Sequence, residues 1–276
     1  MNPKEKGLHR DSAILQAVES RRALDTDQVR ALIFPGMAYG QRKAQERLLK
    51  LHRRGRLDRE RVGDTFAYYH TRPGPLAHLL GVNWVRLWLE AGLKSWEVMH
   101  SFQYEVNFGI LRADALAAIK NTVTGRYRFF LIEMDRGTNG FDKVEKYGRL
   151  FETGGYAGHW WVDLTERFPP VLVATTAPGR AAAVRKLVKK QNSAGLEFRV
   201  VMLDQIKKEV LSHAEACSYR VEGQERKGGL LGIDHQNKNH RGVSCPPGAA
   251  YGGGCLWLDP LLHNQRLWAR PSFQHD

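Results

Sequence analysis

Cysteine is scarce in this chain. Only Cys217, Cys245 and Cys255 occur among 276 residues, and none forms a C-x-x-C pair, which excludes a disulfide framework and a zinc ribbon. No apolar run approaches the about 18 residues of a spanning helix, and the first ten residues lack the apolar centre of a secretion signal. The expectation is a soluble, cytoplasmic protein with no membrane partner. A Gly-rich phosphate loop, a nucleophile elbow and internal repeats are also missing, so ATP hydrolysis of the Walker type is not expected. Acidic residues are outnumbered, 29 against 42 Lys and Arg, giving a formal net charge of +13 and a pI near 9.8. Such a surplus calls for a polyanionic partner, most simply nucleic acid, although ribosomal or membrane-surface roles fit the number too. Length and an ordinary apolar content leave room for one medium domain and a small one.

The first part of the chain shows three short amphipathic segments. Ala13, Ile14, Ala17 and Val18 have helical spacing, with Asp11 or Ser12 as N-cap. A second helix over 25–34 is capped by Asp25 or Thr26 and stopped by Pro35 and Gly36. The third begins near Tyr39 or Gly40, turns Ala44, Leu48 and Leu51 inward, and carries Arg42, Lys43, Arg47, Lys50, Arg53 and Arg54 elsewhere on its surface. Residues 57–70 read as a hairpin with Gly63 and Asp64 at its tip. Three helices and a hairpin are the order of a winged helix-turn-helix, whose third helix enters the major groove while the wing touches backbone. Gln41, Arg42 and Gln45 are the candidates for base edges; Lys43, Arg53, Arg54, Arg59 and Arg61 are the candidates for phosphates. A protein–protein winged helix with solvated basic faces is the alternative. Residues 72–75, Arg-Pro-Gly-Pro, make a stiff break that sets the first boundary.

Beyond it, residues 111–119 are apolar, 121–126 are turn-like, and 127–135 run back as a second strand. With the turn centred between Val123 and Thr124, Asp114 stands opposite Glu133 and Arg112 opposite Asp135. Directly opposed strand residues lie roughly 5 Å apart at Cβ, where like charges repel. A hard divalent cation with oxygen ligands compensates well. So does an ion-pair network in which Arg112 neutralises Asp135 and Lys143 or Lys146 neutralises Glu133, and the pattern alone leaves both open. The hairpin has two apolar faces, Leu116, Ala118, Phe129 and Leu131 on one, Ala113, Ala115, Ile119, Phe130 and Ile132 on the other, so it belongs in the middle of a layered domain.

Helices over 141–152 and 178–190 and strands over 96–107, 170–176 and 197–203 complete an order α-β-β-β-α-β-α-β from about residue 76. That order implies a mixed sheet covered on both sides. With acids on its second and third strands it resembles the PD-(D/E)xK restriction-endonuclease-like fold. Arg112-Ala-Asp114, the run Glu133-Met-Asp135-Arg-Gly-Thr138, and Lys146-Tyr147 on the next helix resemble the replication-relaxation family of plasmid and mobile-element proteins. The likeness covers about residues 10–205. It implies an α/β protein with a winged helix-turn-helix at 8–73 and a nuclease-like domain at 74–210; beyond the likeness, the Gly-rich run at 249–254 points to an irregular arm at 211–276. The partners it implies are double-stranded DNA, a homodimer, and other proteins of a replication or relaxation complex.

The resemblance further implies metal-dependent DNA cleavage, as an endonuclease or nickase. Asp114 and Glu133 would hold Mg2+ or Mn2+, with Glu97 or Glu105 as lesser candidates for the shell. Two departures stand out. Ala113 replaces the proline of the PD pair, and Asp135 replaces the lysine of E-x-K, which orients water and stabilises developing phosphorane charge. Lys143 and Lys146 lie three apart on the following helix and share a face, so either can replace it; Lys146 is the favoured one. The alternatives are a catalytically inactive nuclease fold that binds or organises DNA, and a regulator whose second domain senses a ligand. His159, Trp160 and Trp161 read as a core cap before a base-stacking pair, and Lys186, Lys189 and Lys190 as a solvated face. The three cysteines with His213, His235 and His240 are too irregularly spaced for a metal set.

Overall fold

The computed structural model describes residues 2–138 and 140–226. Three helices lead, α1 (Pro3–Arg21), α2 (Thr26–Ile33) and α3 (Gly40–Arg53), with a short strand β1 (Ala23–Leu24) between the first two. Asn2 caps α1, accepting from the Glu5 N–H while Glu5 reaches back, so the cap lies nine or ten residues before the one expected at Asp11 or Ser12. The hairpin β2 (Asp58–Val62) and β3 (Thr65–Tyr69) joins β1 in a three-stranded antiparallel sheet of order β1-β3-β2. Ile14, Val18, Val29, Phe34, Ala44, Leu48, Leu51 and Tyr68 close a core between these helices and the sheet.

The second unit begins with α4 (Leu76–Ala91), then β4 (Glu97–Asn107), β5 (Arg112–Asn121) and β6 (Tyr127–Asp135) as an antiparallel meander. Helix α5 (Lys143–Glu152), strand β7 (Val171–Thr175), helix α6 (Pro178–Gln191) and strand β8 (Phe198–Met202) follow, with β6, β7 and β8 parallel. The result is an α/β protein, N-terminal helices with a small antiparallel sheet followed by a five-stranded mixed sheet of order β4-β5-β6-β7-β8. One sheet face buries Leu116, Ala118, Phe129, Leu131 and Val173 against Val144, Tyr147 and Leu150 of α5 and Val184 of α6. The other buries Ala115, Ile119, Phe130, Ile132 and Met134 against α4 and a further helix, α7 (Leu203–Arg226). Ala113, expected on the second face, packs in the first cluster. Gly81 lets α4 lie close on the sheet, since a Cβ there would stand 2.6 Å from the Met134 sulfur.

Residues 211–226, expected to begin an irregular arm, continue α7 instead. Ile206, Val210 and Ala214 recur every four residues and are buried, a helical stripe that docks the segment. The Gly36 N–H donates to the Ala214 carbonyl at 2.6 Å, and the Trp88 indole donates to Glu209 at 2.6 Å. Of the C-terminal Cys/His set, His213 and Cys217 fall within α7, while His235, His240, Cys245, Cys255 and the Gly-rich run at 249–254 lie outside the described residues.

A buried polar seam joins the N-terminal helices to α4. The Asn83 side-chain amide, fully buried, donates to the carbonyls of Arg21 (3.1 Å) and Ala23 (2.7 Å) and accepts from the Tyr104 hydroxyl (2.6 Å). Gln28, equally buried, donates to the Leu80 carbonyl at 2.8 Å. One terminal nitrogen of Arg21, Nη2, donates to both oxygens of Glu90, at 3.0 and 2.8 Å, a charge-assisted contact. No helix among the described residues is long and apolar enough to cross a membrane.

Candidate functional site

The hairpin register is the one the turn dictates. Asn121 Oδ1 accepts from the N–H groups of Val123 and Thr124, and Gly125 supplies a φ of +71°, which sets Leu116 opposite Leu131 and Ala115 opposite Ile132. The next residues along are Asp114 and Glu133. There the ladder stops, because Asp114 Oδ2 itself accepts the Met134 N–H at 2.7 Å. Strand β6 keeps pairing with β7 on its other side, Glu133 beside Val173.

Both acids converge on one lysine. The Lys143 ammonium, from the first turn of α5, donates to Glu133 Oε2, lies 3.6 Å from Asp114 Oδ1, and donates to the Arg112 carbonyl at 3.0 Å. The Tyr147 hydroxyl, one turn further on, donates to Glu133 Oε1 at 2.5 Å. Nε2 of His78 on α4 lies 3.1 Å from Asp114 Oδ2. Glu133 is 1% exposed, so its environment is that of the interior.

Burial and the neighbouring Asp114 carboxylate push Glu133 up to about 8, against the pull of Lys143 and Tyr147. Burial pushes Asp114 up as well, but the His78 hydrogen bond, Lys143 and the Met134 N–H outweigh it and hold the carboxyl below its ordinary value. For Lys143 burial favours the neutral amine, and the two acids outweigh it, raising its pKa. Tyr147 is held well above the ordinary phenol value by burial and by Glu133. One ammonium balances one carboxylate. Near neutrality the charge count therefore favours an ionised Asp114 and a Glu133 that keeps its proton.

The other expected site residues lie apart from this cluster. Lys146, the favoured water-orienting lysine, reaches Asp142 at 2.5 Å, and Lys143 is the one that meets the acids. Asp135 does not face Arg112. It is held by Arg180 from the start of α6, at 2.5 and 3.0 Å, while Arg112 lies 3.7 Å from Glu105. Glu105 falls between the pairs Tyr104 with Ala115 and Val106 with Ala113, in line with Asp114, but its backbone has a φ of +58° and its carboxylate meets Arg22 at 2.9 Å. Arg22 has positive φ too (65°), and its guanidinium lies 4.9 Å from the Tyr104 ring. Glu97 pairs with Arg128 (2.8 Å) at the far end of β4, opposite Asn121, on the order of 20 Å along the strand from Asp114. Among the described residues no three His, Cys, Asp or Glu side chains form a metal-binding group.

The DNA-binding candidates are spread over α3 and the β2–β3 hairpin. Arg42, Gln45, Arg53, Arg54 and Arg61 are exposed; Lys43 and Arg59 are half-buried. Arg59 stacks over Phe66 at 4.4 Å, and Arg61 Nε donates to the Gly63 carbonyl at 3.1 Å. Gln41, expected at a base edge, donates instead to Asp27 of α2 at 2.7 Å, fastening α3 to its neighbour. Arg47 turns to Asp11 of α1. His78 is a site residue that sequence reasoning misses, since its contact with Asp114 joins residues 36 apart and the sequence carries no local sign of it. No family model, curated protein or solved structure matches the chain.

Proposed function

We propose that the chain is a duplex-DNA-binding protein of a plasmid or other mobile element, acting in replication or relaxation. Its first unit is a winged helix-turn-helix with α3 as the recognition helix and the β2–β3 hairpin as the wing. The second is a PD-(D/E)xK nuclease-like domain. The observation that carries the reading is the outer face of α3: Arg42, Gln45, Lys50, Arg53 and Arg54 are all exposed beside a wing bearing Arg59 and Arg61. A face so charged is what phosphate contacts require, and the net charge of +13 adds long-range attraction.

Within this protein the acid cluster is read as a metal-dependent endonuclease or nickase centre. Lys143 supports it, because an ammonium touching both Asp114 and Glu133 restores the lysine that Asp135 removes from the E-x-K position. Two carboxylates are a donor set suited to Mg2+ or Mn2+, which are commonly held by one or two such groups and several waters. When bound, the ion supplies Lewis-acid polarisation of a phosphoryl oxygen and a more acidic water. The chain's own groups do the rest. Asp114 and Glu133 hold the ion once Glu133 gives up its proton, Tyr147 orients Glu133, and Lys143 turns from the acids toward phosphate to offset negative charge.

A specific observation favours the second reading, a catalytically inactive nuclease fold that binds DNA in a nucleoprotein complex. Both oxygens of Glu133 and Oδ2 of Asp114 already accept hydrogen bonds or face a ring nitrogen within the cluster, and Lys143 holds the position between the two acids. Incubation of supercoiled plasmid with Mg2+ or Mn2+ separates the two. Under the nuclease reading wild type nicks or linearises the plasmid, and Asp114→Ala and Glu133→Gln abolish cutting while duplex binding persists. Binding without cutting under either metal establishes the inactive reading. Absence of duplex binding removes both.

A further inference from the structure

Glu46 is the only acid on α3, a helix of fourteen residues whose remaining charged groups are basic. It stands on the exposed side, its side chain 53% accessible, between Arg42 (Nε to Oε1, 3.4 Å) and Lys43 (Nζ to Oε2, 3.6 Å). The Arg42 guanidinium lies 5.1 Å from the ring of Tyr39, which is itself exposed, so the three side chains form one ordered rank along the first two turns. Further along, Lys50, Arg53 and Arg54 have no ion-pair partner among the described residues. The acid therefore sits at the end of the helix where base edges are met, and the uncompensated cations sit where phosphates are met.

A carboxylate on such a face weakens every phosphate contact, since an ionised carboxylate only accepts hydrogen bonds and repels phosphate oxygens. What it can engage in the major groove is an exocyclic amino group. Two bases offer one. On adenine the N6 donor lies between the acceptors N7 and thymine O4, whereas on cytosine the N4 donor adjoins the single acceptor O6 of guanine, so a carboxylate meets less repulsion at cytosine. Arg42 is one turn back on the same side, about 6 Å along the axis, a spacing of one to two base-pair steps. Its fork matches guanine O6 and N7.

We infer that Glu46 is the specificity-determining residue of the α3 face, accepting from cytosine N4 within a G·C-containing step whose guanine Arg42 reads. The inference rests on the proposed DNA-binding role of α3 and adds the base it selects. In the unbound protein Glu46 faces Arg42 and Lys43; on the cognate step it exchanges them for base contacts, and on any other sequence it remains a local repulsive charge.

The test is selection of preferred sites from random duplexes with the full chain, followed by competition titrations at fixed salt for wild type, Glu46→Ala and Glu46→Gln. Wild type is expected to select a cytosine and to lose roughly tenfold to hundredfold in affinity when that base pair alone is changed. Glu46→Ala is expected to bind random duplex more tightly and to treat all four bases alike at that position. Glu46→Gln is expected to move the preference to adenine, because a carboxamide matches N6 and N7 together. The exposed position leaves folding untouched, which circular dichroism of each variant checks. Sites without a cytosine that depends on Glu46, or variants that gain affinity equally on every sequence with the base preference unchanged, overturn the inference while leaving DNA binding intact. Wild type that binds no duplex overturns the proposed function itself.

Discussion

The acid cluster at the end of β5 and the outer face of α3 handle charge in opposite ways. At Glu133 an ionisable group is shut inside the protein and every neighbour is committed: Lys143 to one oxygen, Tyr147 to the other, Asp114 alongside. On α3 Lys50, Arg53 and Arg54 project into water and have no ion-pair partner among the described residues. Charge that is desolvated must be matched during folding, or it costs more than the fold can supply. Charge left on the surface costs the fold little and stays available to a polyanion. The first region is therefore sensed through stability, the second through binding.

The largest effect expected is on the buried side. Lys143→Ala leaves Asp114 and Glu133 together without a cation; breaking a buried pair typically costs about 3–5 kcal/mol, and the loss here should lie near ~3 kcal/mol because Glu133 can stay protonated. Urea unfolding measures it, and a variant as stable as wild type would show that charge does not hold the cluster together. Next is a pH effect. Glu133 releases its proton near its ordinary 4.5 when unfolded but at about 8 when folded. The folded form thus keeps a proton that the unfolded chain gives up, and stability falls as pH rises from about 4.5 to about 8, with a slope of up to roughly 1.4 kcal/mol per pH unit. Above that range the contribution is constant. Unfolding curves of wild type minus those of Glu133→Gln isolate it, and parallel curves across the range would refute it.

The smallest change in stability belongs to the exposed side. Arg53→Ala should shift stability by no more than about 0.5 kcal/mol, yet lower duplex affinity and reduce the slope of log K against log salt by about 0.9 for each phosphate it no longer neutralises. A stability loss with unaltered salt dependence would reverse the contrast between the two regions.

Where the sequence is legible, the signals are local. The Asn121 turn fixes the hairpin register, and with it the neighbourhood of Asp114 and Glu133, because a turn dictates pairing on both sides of itself. The strand and helix alternation from residue 76 follows from hydrophobic period and punctuation. The capping box of Asn2 and Glu5 is equally local, and it marks the true start of α1 within the sequence itself. Partnerships across long separations are not legible. Lys143 and Lys146 lie on one side of α5, and which of them meets the acids depends on how the helix is rolled against the sheet, a matter of Val144, Tyr147 and Leu150 packing on β6 and β7. The Arg180 partner of Asp135 and the His78 partner of Asp114 come from other helices, beyond any pattern within a strand. Residues 211–226 read as the start of an arm because the Gly-rich sequence further on overshadows the stripe of Ile206, Val210 and Ala214.

Asn83 has a mechanical consequence. With its carboxamide bridging the chain at Arg21 and Ala23 to the Tyr104 hydroxyl, and Glu90 clasped by Arg21, α4 is pinned at once to the end of α1, to β1 and to β4. The bearing between the leading helices and the five-stranded sheet is thus set by a buried side-chain amide rather than by the length of the Pro73–Pro75 bend.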